Sequence, residues 1–288
     1  MSTVPQFDLT GRVALVTGAS SGFGAHFSRL LAAAGAAVVM GARRADRLAA
    51  LEAEIRAAGG KALAVSLDVA DEAATIAAYD AAEAAFGTVD TIVANAGIAP
   101  EITTVRSADP EDWERVVDVN LFCVWRTVQA GLPQVLANRG QFVLVSSSYA
   151  FMNGVLNSPY ATAKAGVEAL GRALRAELMP RGASATVAYF GWIRTELVRK
   201  AFDDPIVDRM RHEAVPSLLT RRIPVRRAGR AIINGVENRS PRVIAPFEWR
   251  LLFLLRGVLG PFTDLGFERD PQVAEIVRAA EERSARGG

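Results

Sequence analysis

The feature that most constrains the fold of this chain is the alternation of short apolar runs with longer segments of helical periodicity. Runs such as VALVT at 13–17 and QFVLV at 141–145 are almost continuously apolar, which is typical of strands buried on both faces of a sheet. The segment between the first two runs places Phe23, Phe27 and Leu31 at helical spacing. Strands that alternate with crossover helices form a parallel sheet. We therefore predict an α/β protein, a doubly wound parallel sheet with helices on both faces.

The same patterns predict about seven strands and the helices between them. Strands are expected at 12–17, 36–40, 62–67, 89–94, 141–145, 185–189 and 242–245. Helices are expected at 22–34, 46–58, 71–86, 109–136, 158–179 and 270–286. From 196 to 239 the pattern becomes irregular. No linker divides the chain before about residue 195, so we expect one domain over 1–288, with its core at about 10–195 and a C-terminal helical extension at about 247–288.

Composition excludes several classes of protein. The 288 residues carry 33 Lys and Arg against 31 Asp and Glu, which gives no overall field that would attract nucleic acid. The single cysteine, Cys123, cannot form an internal disulfide and is compatible with a cytoplasmic location. His26 and His212 lie far apart without cysteine partners, so no metal site is expected. Residues 1–10 show no signal-peptide pattern, and no apolar run is long enough for a transmembrane segment.

A glycine-rich loop follows the first strand directly and precedes the first helix. Its sequence, TGASSGFG at 17–24, has the spacing G-x-x-x-G-x-G rather than the more familiar G-x-G-x-x-G. Glycines here let the backbone turn tightly and approach a pyrophosphate at the helix N-terminus. An ordinary glycine-rich turn is the alternative, but the place in the first βαβ unit favours a nucleotide. The residues expected to approach it are Gly18, Ser20, Ser21, Gly22, Phe23 and Gly24.

The end of the second strand indicates which nucleotide is bound. Enzymes that use NAD place an acidic residue there, whereas this strand ends in Arg43 and Arg44, with no carboxylate before Asp46. A guanidinium suits a 2′-phosphate through charge-assisted hydrogen bonds. We therefore predict NADP(H) as the cofactor, with Arg43 as the main contact and Arg44 as a further one.

The next two strand ends offer further groups near the expected cofactor. Asp68 and Val69 follow the third strand and could hold the adenine amine and pack against its ring; Asp68 could instead cap the next helix, although Asp71 suits that position better. The fourth strand is followed by Asn95, Ala96 and Gly97, a polar side chain and small residues where a cofactor would pass close to the backbone.

A Tyr–Lys pair opens the helix that begins at Ser158. Ser158 is the expected cap, and Tyr160 and Lys164 lie one turn apart on the same face. A cation fixed beside a buried phenol favours its ionised form, so we expect the pKa of Tyr160 to be lowered toward neutrality. Such a group can exchange a proton with a carbonyl or hydroxyl oxygen. Three serines, 146–148, follow the fifth strand and should face this helix.

Taken together, the motifs resemble those of the short-chain dehydrogenase/reductase family in its single-domain form. The matching segments are TGASSGFG at 17–24, LDV at 67–69, ANAG at 94–97, DVN at 118–120, VSSS at 145–148 and YATAK at 160–164. They occur in the family's order and cover roughly 12–195. The resemblance implies a Rossmann fold, a substrate loop at about 196–226 that closes over the site, and a catalytic tetrad of Asn120, Ser147, Tyr160 and Lys164.

The resemblance also implies a role for each member of that tetrad. Tyr160 would exchange the proton with the substrate oxygen, and Ser147 would donate a hydrogen bond to that oxygen. Lys164 would bond the nicotinamide ribose and lower the pKa of Tyr160. Asn120 would sit in the long fourth helix and hold a water molecule that links Lys164 to solvent. In the family, hydride moves between the nicotinamide and the carbinol carbon.

One departure from the family pattern follows the sixth strand. The family usually has Pro-Gly there, whereas this chain has Phe190 and Gly191. Gly191, Ile193 and Thr195 still match positions that touch the nicotinamide amide and the phosphates. Phe190 could alter the loop geometry or add an aromatic wall beside the substrate, and the sequence leaves both interpretations open.

The C-terminal extension and the loops near the expected site favour a large apolar substrate. The segment 249–262 is nearly apolar all round, so it could be a lid, a subunit contact or an interfacial membrane anchor. Extensions of this kind resemble those of the hydroxysteroid-dehydrogenase-like branch. The apolar residues expected at the substrate are Phe151, Met152, Leu156, Phe190 and Trp192.

The function predicted from the sequence is an NADP(H)-dependent carbonyl reductase, reversible as an alcohol dehydrogenase, that acts on a bulky hydrophobic ketone or alcohol of steroid, terpenoid or aryl type. We expect a cytoplasmic homodimer or homotetramer that does not bind nucleic acid, with membrane contact at most peripheral and through 247–262. The alternative is a catalytically silent NADP-binding sensor or scaffold, which the intact tetrad disfavours.

Overall fold

Seven parallel strands form a single sheet in the computed structural model, which describes residues 7–214 and 220–287. The strand order is β3-β2-β1-β4-β5-β6-β7, and every neighbouring pair is parallel. The strands are β1 Val13–Thr17, β2 Ala37–Ala42, β3 Lys61–Ser66, β4 Thr91–Ala94, β5 Gln141–Ser147, β6 Ser184–Phe190 and β7 Arg242–Ala245. The predicted doubly wound sheet of seven strands is confirmed.

The described residues form eleven α-helices. They are α1 Gly22–Ala33, α2 Ala45–Ala57, α3 Glu72–Phe86, α4 Pro110–Val117, α5 Cys123–Ala137, α6 Ser158–Leu178, α7 Glu196–Phe202, α8 Pro205–Arg209, α9 Val225–Glu237, α10 Trp249–Arg269 and α11 Pro271–Gly287. Helices α1, α2 and α9 bury their apolar stripes on one face of the sheet. Helices α3, α5 and α6 bury theirs on the other face. This two-sided burial explains why the central strands are continuously apolar.

The strand order places the reversal point of the sheet between β1 and β4. From β1 the chain proceeds outward through β2 and β3, and it then returns to β4 and proceeds the other way. Loops that leave the carboxyl ends of β1 and β4 therefore diverge and open a crevice, which is where such folds bind ligands. The glycine-rich loop and Asn95 follow these two strands directly, so the fold brings both to the crevice.

The predicted fourth helix at 109–136 is interrupted. Helix α4 ends at Val117, a π turn covers Asp118–Phe122, and α5 continues from Cys123. The Asn120 amide donates to the carbonyl of Val116 at 2.8 Å, which is a side-chain bond within the turn that a regular helix would not need. Such π turns are frequent at functional sites.

Two other segments differ from the sequence predictions. The region expected to be irregular after Glu196 contains α7, α8, a π turn at Met210–Ala214 and, after it, α9; residues 215–219 of the expected substrate loop lie outside the described residues. Helix α6 is preceded by Asn157 at its N-cap position, and Ser158 is its first residue rather than its cap.

The C-terminal extension consists of α10 and α11. Helix α10 runs through Pro261 without a break, although proline lacks an N–H and its ring crowds the carbonyl four residues earlier. That carbonyl belongs to Gly257, which has no Cβ to add to the crowding. Among the residues that the structure describes, no helix is both long and apolar enough to cross a membrane.

Candidate active site

The glycine-rich loop lies directly against the end of β4. Gly18 has φ +67°, and a Cβ on it would lie 2.8 Å from the Cα of Ala96. A Cβ on Gly24 would lie 2.5 Å from the carbonyl oxygen of Gly18. Both approaches exclude any side chain, so these two glycines allow the first turn of α1 to pack closely on the strand ends. The free N–H groups of that turn consequently face the crevice.

Thr17, at the end of β1, ties the loop to the neighbouring strand. Its hydroxyl accepts hydrogen bonds from the backbone N–H groups of Asn95 and Ala96, both at 3.1 Å. The Asn95 amide donates in return to the Thr17 carbonyl at 3.0 Å. These hydrogen bonds between Asn95 and Thr17 hold the ends of β1 and β4 together at the crevice. The sequence analysis assigned no role to Thr17, although a hydroxyl at the end of a buried strand is a signal that could have identified it.

The two arginines after β2 lie at the same edge but differ in their contacts. Arg44 donates from Nε to Ser20 Oγ at 3.1 Å and from Nη2 to Ser21 Oγ at 2.6 Å, so its guanidinium lies on the glycine-rich loop. Arg43 is 70 % exposed, and its Nη1 lies 3.9 Å from Oδ2 of Asp68. Arg43 is the predicted main contact of the cofactor, whereas Arg44 is the arginine that touches the glycine-rich loop.

Glu196 is a carboxylate at this edge that the sequence analysis did not identify. It begins α7 and lies 3.0 Å from Arg47 Nη1 and 3.7 Å from Arg44 Nη1. It therefore connects the segment expected to cover the substrate with the arginines after β2. No local sequence pattern indicates this contact, because Arg47 and Glu196 lie 149 positions apart in the chain.

Asp71, after the third strand, has the predicted position of a helix cap. This residue caps α3 by accepting a hydrogen bond from the N–H of Ala74 at 3.0 Å, so Asp68 is not needed as a cap. Asp68 accepts from the N–H of Ala70 at 3.1 Å, and Val69 is buried beside it.

The loop after β6 reaches back to the glycine-rich loop. A Cβ on Gly22 would lie 3.3 Å from the Cβ of Thr195, and Thr195 Oγ1 also caps α7 by accepting from the N–H of Val198. Ile193 forms a bridge with Ile223. Gly191 donates from its N–H to the carbonyl of Ala245 at 2.9 Å. Of the three predicted positions after β6, Thr195 thus lies against the glycine-rich loop, and backbone contacts hold Gly191 and Ile193 to neighbouring segments.

These observations show that the crevice fits a dinucleotide phosphate. The loop approaches its neighbours so closely that only glycine fits, α1 has no acidic residue in its first turn, and two guanidinium groups and two serine hydroxyls lie beside it. These groups are donors or positive charges, which is the chemistry that an anionic ligand requires. Two carboxylates lie beside the arginines, Asp68 at 3.9 Å from Arg43 and Glu196 at 3.7 Å from Arg44.

Lys164 carries a buried ammonium group. The residue is 3 % exposed, and its Nζ donates to the carbonyl of Val145 in β5 at 2.9 Å. Among the described residues, no carboxylate forms an ion pair with it. Burial without a counter-charge lowers the pKa of Lys164 to about 8. The lysine can therefore both hold and release a proton near neutral pH.

Tyr160 lies beside this ammonium, but its acidity is the opposite of what the sequence analysis expected. The Lys164 Nζ is 5.5 Å from the centre of the Tyr160 ring. Burial is the largest influence and raises the pKa of Tyr160 to about 12, whereas a hydrogen bond with Ser147 lowers it and nearby Tyr149 raises it. The prediction of a lowered pKa is wrong for the chain by itself, because the loss of hydration outweighs the hydrogen bond with Ser147, the cause that lowers the pKa.

Ser147 is placed at the last residue of β5, within hydrogen-bonding reach of Tyr160. Its hydroxyl donates to the carbonyl of Phe190 at 3.3 Å and accepts from the N–H of Tyr149 at 3.3 Å. Both bonds are long for a hydroxyl. The hydroxyl can consequently be redirected to an oxygen that enters the site.

Asn120 is completely buried in the π turn. Its amide donates to the carbonyl of Ile98 at 3.0 Å and to that of Val116, and its Oδ1 accepts from the N–H of Ile98 at 3.3 Å. A Cβ on Gly97 would lie 2.6 Å from Asn120 Oδ1 and 3.8 Å from Lys164 Nζ. The side chain therefore fixes the loop after β4 beside the lysine. The expected water contact stays a prediction.

A pocket opens beside Tyr149, whose ring meets that of Tyr160 edge-on at 5.9 Å. The pocket is partly open to solvent. Three of the predicted substrate residues line it, namely Met152, Leu156 and Trp192. The other lining residues include Tyr149, Phe202 and Arg211, together with Phe267 of α10.

The structure does not bring Phe151 and Phe190 to this pocket. Phe151 packs against Phe253 at 5.3 Å and belongs to the cluster beneath α10. Phe190 packs against Phe23 at 4.4 Å in the core on the other face of the sheet. Both are aromatic residues near the site in sequence, but the ring of Phe190, at the end of β6, and the ring of Phe151, in the turn after Ser148–Ala150, each pack into a core.

Three comparisons with known proteins agree with this geometry. The family model described as short chain dehydrogenase matches residues 12–206. The cis-4-hydroxycyclohexanecarboxylate dehydrogenase of Sinomonas cyclohexanicum is 40 % identical over 190 residues, which are 65 % of this chain and 75 % of that protein. A crystal structure of a short-chain type dehydrogenase/reductase from Mycobacterium marinum aligns with a TM-score of 0.74 and 29 % identity, and covers 84 % of this chain and 97 % of that one.

A further relative is a much longer protein. The chain is 35 % identical over 204 residues to the glycine betaine reductase ATRR of Emericella nidulans. The match covers 70 % of this chain but only 16 % of that enzyme.

The buried lysine leads to a prediction for stability. At pH 7, Lys164→Met should raise the free energy of unfolding by about 1–3 kcal/mol, because it removes a buried charge. The folded pKa of Lys164 lies below the unfolded value of 10.5. The charge on Lys164 therefore lowers the free energy of unfolding of the wild type by its full amount below about pH 8. This effect disappears as the pH rises through 10.5.

Urea unfolding at a series of pH values measures this difference. Lys61→Met, at an exposed lysine of β3, is the matched control and should leave stability nearly unchanged. The assignment of a buried charge to Lys164 would be contradicted if Lys164→Met did not raise the free energy of unfolding at pH 7. An increase of equal size at pH 7 and pH 10 would contradict it as well.

Proposed function

The chain belongs to the short-chain dehydrogenase/reductase family, and from this membership we propose that it is an NADP(H)-dependent enzyme that interconverts a ketone or aldehyde and the corresponding alcohol. The family membership establishes an oxidoreductase that acts on CH–OH groups with a nicotinamide cofactor. The single observation that carries the proposal is the meeting of Tyr160, Ser147 and Lys164 between a phosphate-compatible crevice and an apolar pocket.

The proposed reaction assigns one task to each group in the direction of reduction. When bound, the cofactor supplies the hydride that adds to the carbonyl carbon. Tyr160 gives its hydroxyl proton to the carbonyl oxygen, so the product is a neutral alcohol. Ser147 donates a hydrogen bond to the same oxygen as negative charge develops on it. In oxidation the proton returns to Tyr160.

Lys164 keeps the site positively charged when Tyr160 gives up its proton. Its ammonium is held by Val145 beside the phenol ring, so it stabilises a phenolate more than a phenol. We propose that it also bonds the nicotinamide ribose. Asn120 positions the Gly97 loop next to it, and the expected water contact of Asn120 belongs to this proposal.

Support for NADP(H) over NAD(H) comes from the charges after β2. Arg43 and Arg44 are the residues that would hold a 2′-phosphate, and Ser20 and Ser21 lie within reach of the same group. A carboxylate that would bind a ribose diol at this strand end is missing from the sequence between Arg43 and Asp46. The remaining contacts proposed for the cofactor are those around Gly18, Gly22 and Gly24, Phe23, Asp68 and Val69, Asn95 to Gly97, Gly191, Ile193 and Thr195.

Support for a bulky hydrophobic substrate comes from the pocket. Aromatic and aliphatic side chains line most of it, including Trp192, Phe202 and Phe267, which is the lining that an apolar ligand requires. The relative from Sinomonas is named for an alicyclic hydroxy acid. We therefore propose a cyclic or aromatic ketone or alcohol, with a cytoplasmic homodimer or homotetramer as its setting.

Tyr160→Phe tests the proton transfer. We expect kcat for NADPH-dependent reduction of a panel of steroid, terpenoid and aryl ketones to fall at least about 10²-fold, because the hydroxyl that gives the proton is lost. NADPH affinity, measured by fluorescence titration, should change little.

Tyr149→Phe is the matched control, since it removes a neighbouring hydroxyl whose ring touches Tyr160. This variant should keep kcat within about threefold of wild type, an expectation that treats Tyr149 only as a pocket residue. Equal turnover by wild type and Tyr160→Phe would contradict the mechanism.

Substitution of the arginines tests the cofactor. Arg43→Ala and Arg44→Ala should each raise the KM for NADPH by about 10-fold or more, which corresponds to one lost charge-assisted bond of about 1.5–3 kcal/mol. The KM for NADH should change by less than about threefold, because NADH has no 2′-phosphate. Steady-state kinetics with both cofactors measure the two effects.

Arg47→Ala provides the control for a general loss of positive charge. Arg47 lies at the same edge but pairs with Glu196, so its removal should affect both cofactors alike. If Arg43→Ala and Arg44→Ala also affect NADPH and NADH equally, the cofactor assignment is wrong.

A further inference from the structure

Arg211 is the one charged side chain among the described residues that line the substrate pocket. A buried N–H of its guanidinium has no acceptor within the described part of the chain. We propose that this group binds a carboxylate of the substrate, so that the enzyme acts on a hydrophobic keto acid or hydroxy acid. The inference rests on the proposed function, because it names the substrate class of that same pocket.

The guanidinium of Arg211 leaves part of its hydrogen-bonding capacity unused. Its Nη2 donates to Oδ1 of Asp208 and, at 2.8 Å, to Nε2 of His212. Its Nε is buried and lacks an acceptor among the residues that the structure describes. A guanidinium stays protonated at every ordinary pH, and a buried donor without an acceptor is costly. The Nε–H therefore requires an acceptor from a molecule that enters the pocket.

A row of aromatic rings connects Arg211 with Tyr160. The ring of Tyr160 meets that of Tyr149 at 5.9 Å, Tyr149 meets Trp192 at 5.9 Å, and Trp192 meets Phe202 at 4.9 Å. The guanidinium carbon of Arg211 lies 4.7 Å from the centre of the Phe202 ring. Arg211 is thus at the end of the row opposite to Tyr160. A substrate that spans the row carries apolar atoms between its reacting oxygen and the group that Arg211 binds.

Phe202 holds the guanidinium of Arg211 in place and adds a second positive charge to this end. The Phe202 ring is buried, and a guanidinium over an aromatic face is attracted by the electrons of the ring. The guanidinium carbon of Arg222 lies 4.9 Å from the centre of the same ring. Two guanidinium groups therefore meet at one ring, which favours an anion over a neutral acceptor beside it.

Three carboxylates lie near Arg211, and water screens each of them. Asp208, which pairs with Arg211, has a side chain that is 50 % exposed. Glu213 and Glu275 lie beside Arg209 instead, and their side chains are 34 % and 61 % exposed. Exposed charges act weakly over distance, whereas the Nε of Arg211 is buried. An anion at this nitrogen is consequently attracted more strongly than the exposed carboxylates repel it.

The end of the pocket beside Tyr149 has the opposite requirement. Asn157 lines the pocket within hydrogen-bonding reach of Tyr149. Its Oδ1 is buried and has no donor among the described residues. This amide oxygen repels a carboxylate but accepts a hydrogen bond from a hydroxyl group. The two ends together favour one direction of binding, with the alcohol or carbonyl toward Tyr149 and the carboxylate toward Arg211.

Matched pairs of acid and ester test the proposal with the full chain. The probes are acetylphenyl-alkanoic acids, whose alkyl chain grows one carbon at a time, and the methyl ester of each. At pH 7 the acids are ionised and the esters are neutral. We expect kcat/KM with NADPH for the best acid to exceed that for its ester at least about tenfold, because only the acid forms a charge-assisted hydrogen bond with Arg211.

Arg211→Met removes the charge of the side chain and keeps most of its apolar length. The ratio of kcat/KM between acid and ester should fall to about one, mainly through a higher KM for the acid. Arg209→Met is the matched control, since Arg209 pairs with Glu213 and is not among the described residues that line the pocket; it should keep the wild-type ratio. The ratio within one variant cancels any general loss of active enzyme, and circular dichroism reports the fold.

Equilibrium binding separates this proposal from the proposed reaction. Isothermal titration calorimetry with NADP⁺ present measures the Kd of each acid and ester without turnover, because the oxidised cofactor has no hydride to give to a ketone. We expect the best acid to bind wild type at least about tenfold more tightly than its ester. Arg211→Met should lose this difference.

Equal kcat/KM and equal Kd for acids and esters in the wild type would overturn the proposal and leave the proposed reaction standing, whether or not Arg211→Met folds. A preference for acids that Arg211→Met retains would overturn it as well, since the carboxylate would then bind elsewhere. A preference in Kd that depends on Arg211, in an enzyme that reduces none of the ketones, would support carboxylate binding and contradict the proposed reaction instead.

Discussion

The buried ammonium of Lys164 is the interaction on which the rest of the site depends. A charge without a carboxylate partner is costly to bury, and here the ammonium donates a hydrogen bond to the carbonyl of Val145. That bond requires the end of β5 and the first turns of α6 to meet, which in turn places Ser147 beside Tyr160. The loop after β4 lies close to the ammonium as well, and the hydrogen bonds of Asn120 in the π turn secure that loop. A site so arranged is less stable than an apolar one, in return for a group that titrates near neutral pH.

Most of the fold could be predicted from the sequence because it depends on local and strongly periodic signals. The continuous apolar runs identified the strands, and Gly18 and Gly24 marked a close approach that no other residue allows. The π turn was not predictable, since a side-chain bond from Asn120 to Val116 leaves no periodic signal. Helices α7 and α8 were missed because short segments rich in arginine and proline lack an apolar stripe of sufficient length.

Within the site, residue types were predictable but their surroundings were not. The pKa of Tyr160 was expected to be lowered because of the neighbouring cation, without regard to the loss of hydration. Burial has the larger effect on this pKa and raises it. Phe151 and Phe190 were grouped with the substrate by their position in the chain, whereas their rings pack into two different cores. Phe267 was missed because α10 brings it back from far along the chain. Helix α10 thus belongs to the site through its inner face.

The pH dependence of ketone reduction tests the central claim most directly, namely that Tyr160 and Lys164 form one proton-donating pair. With NADPH saturating, the account predicts that kcat/KM is constant at acidic and neutral pH and falls about tenfold per pH unit above an apparent pKa of about 8. The first proton that the pair loses as the pH rises is the one that burial loosens on Lys164. A value of kcat/KM that stays constant up to pH 10 would contradict the account.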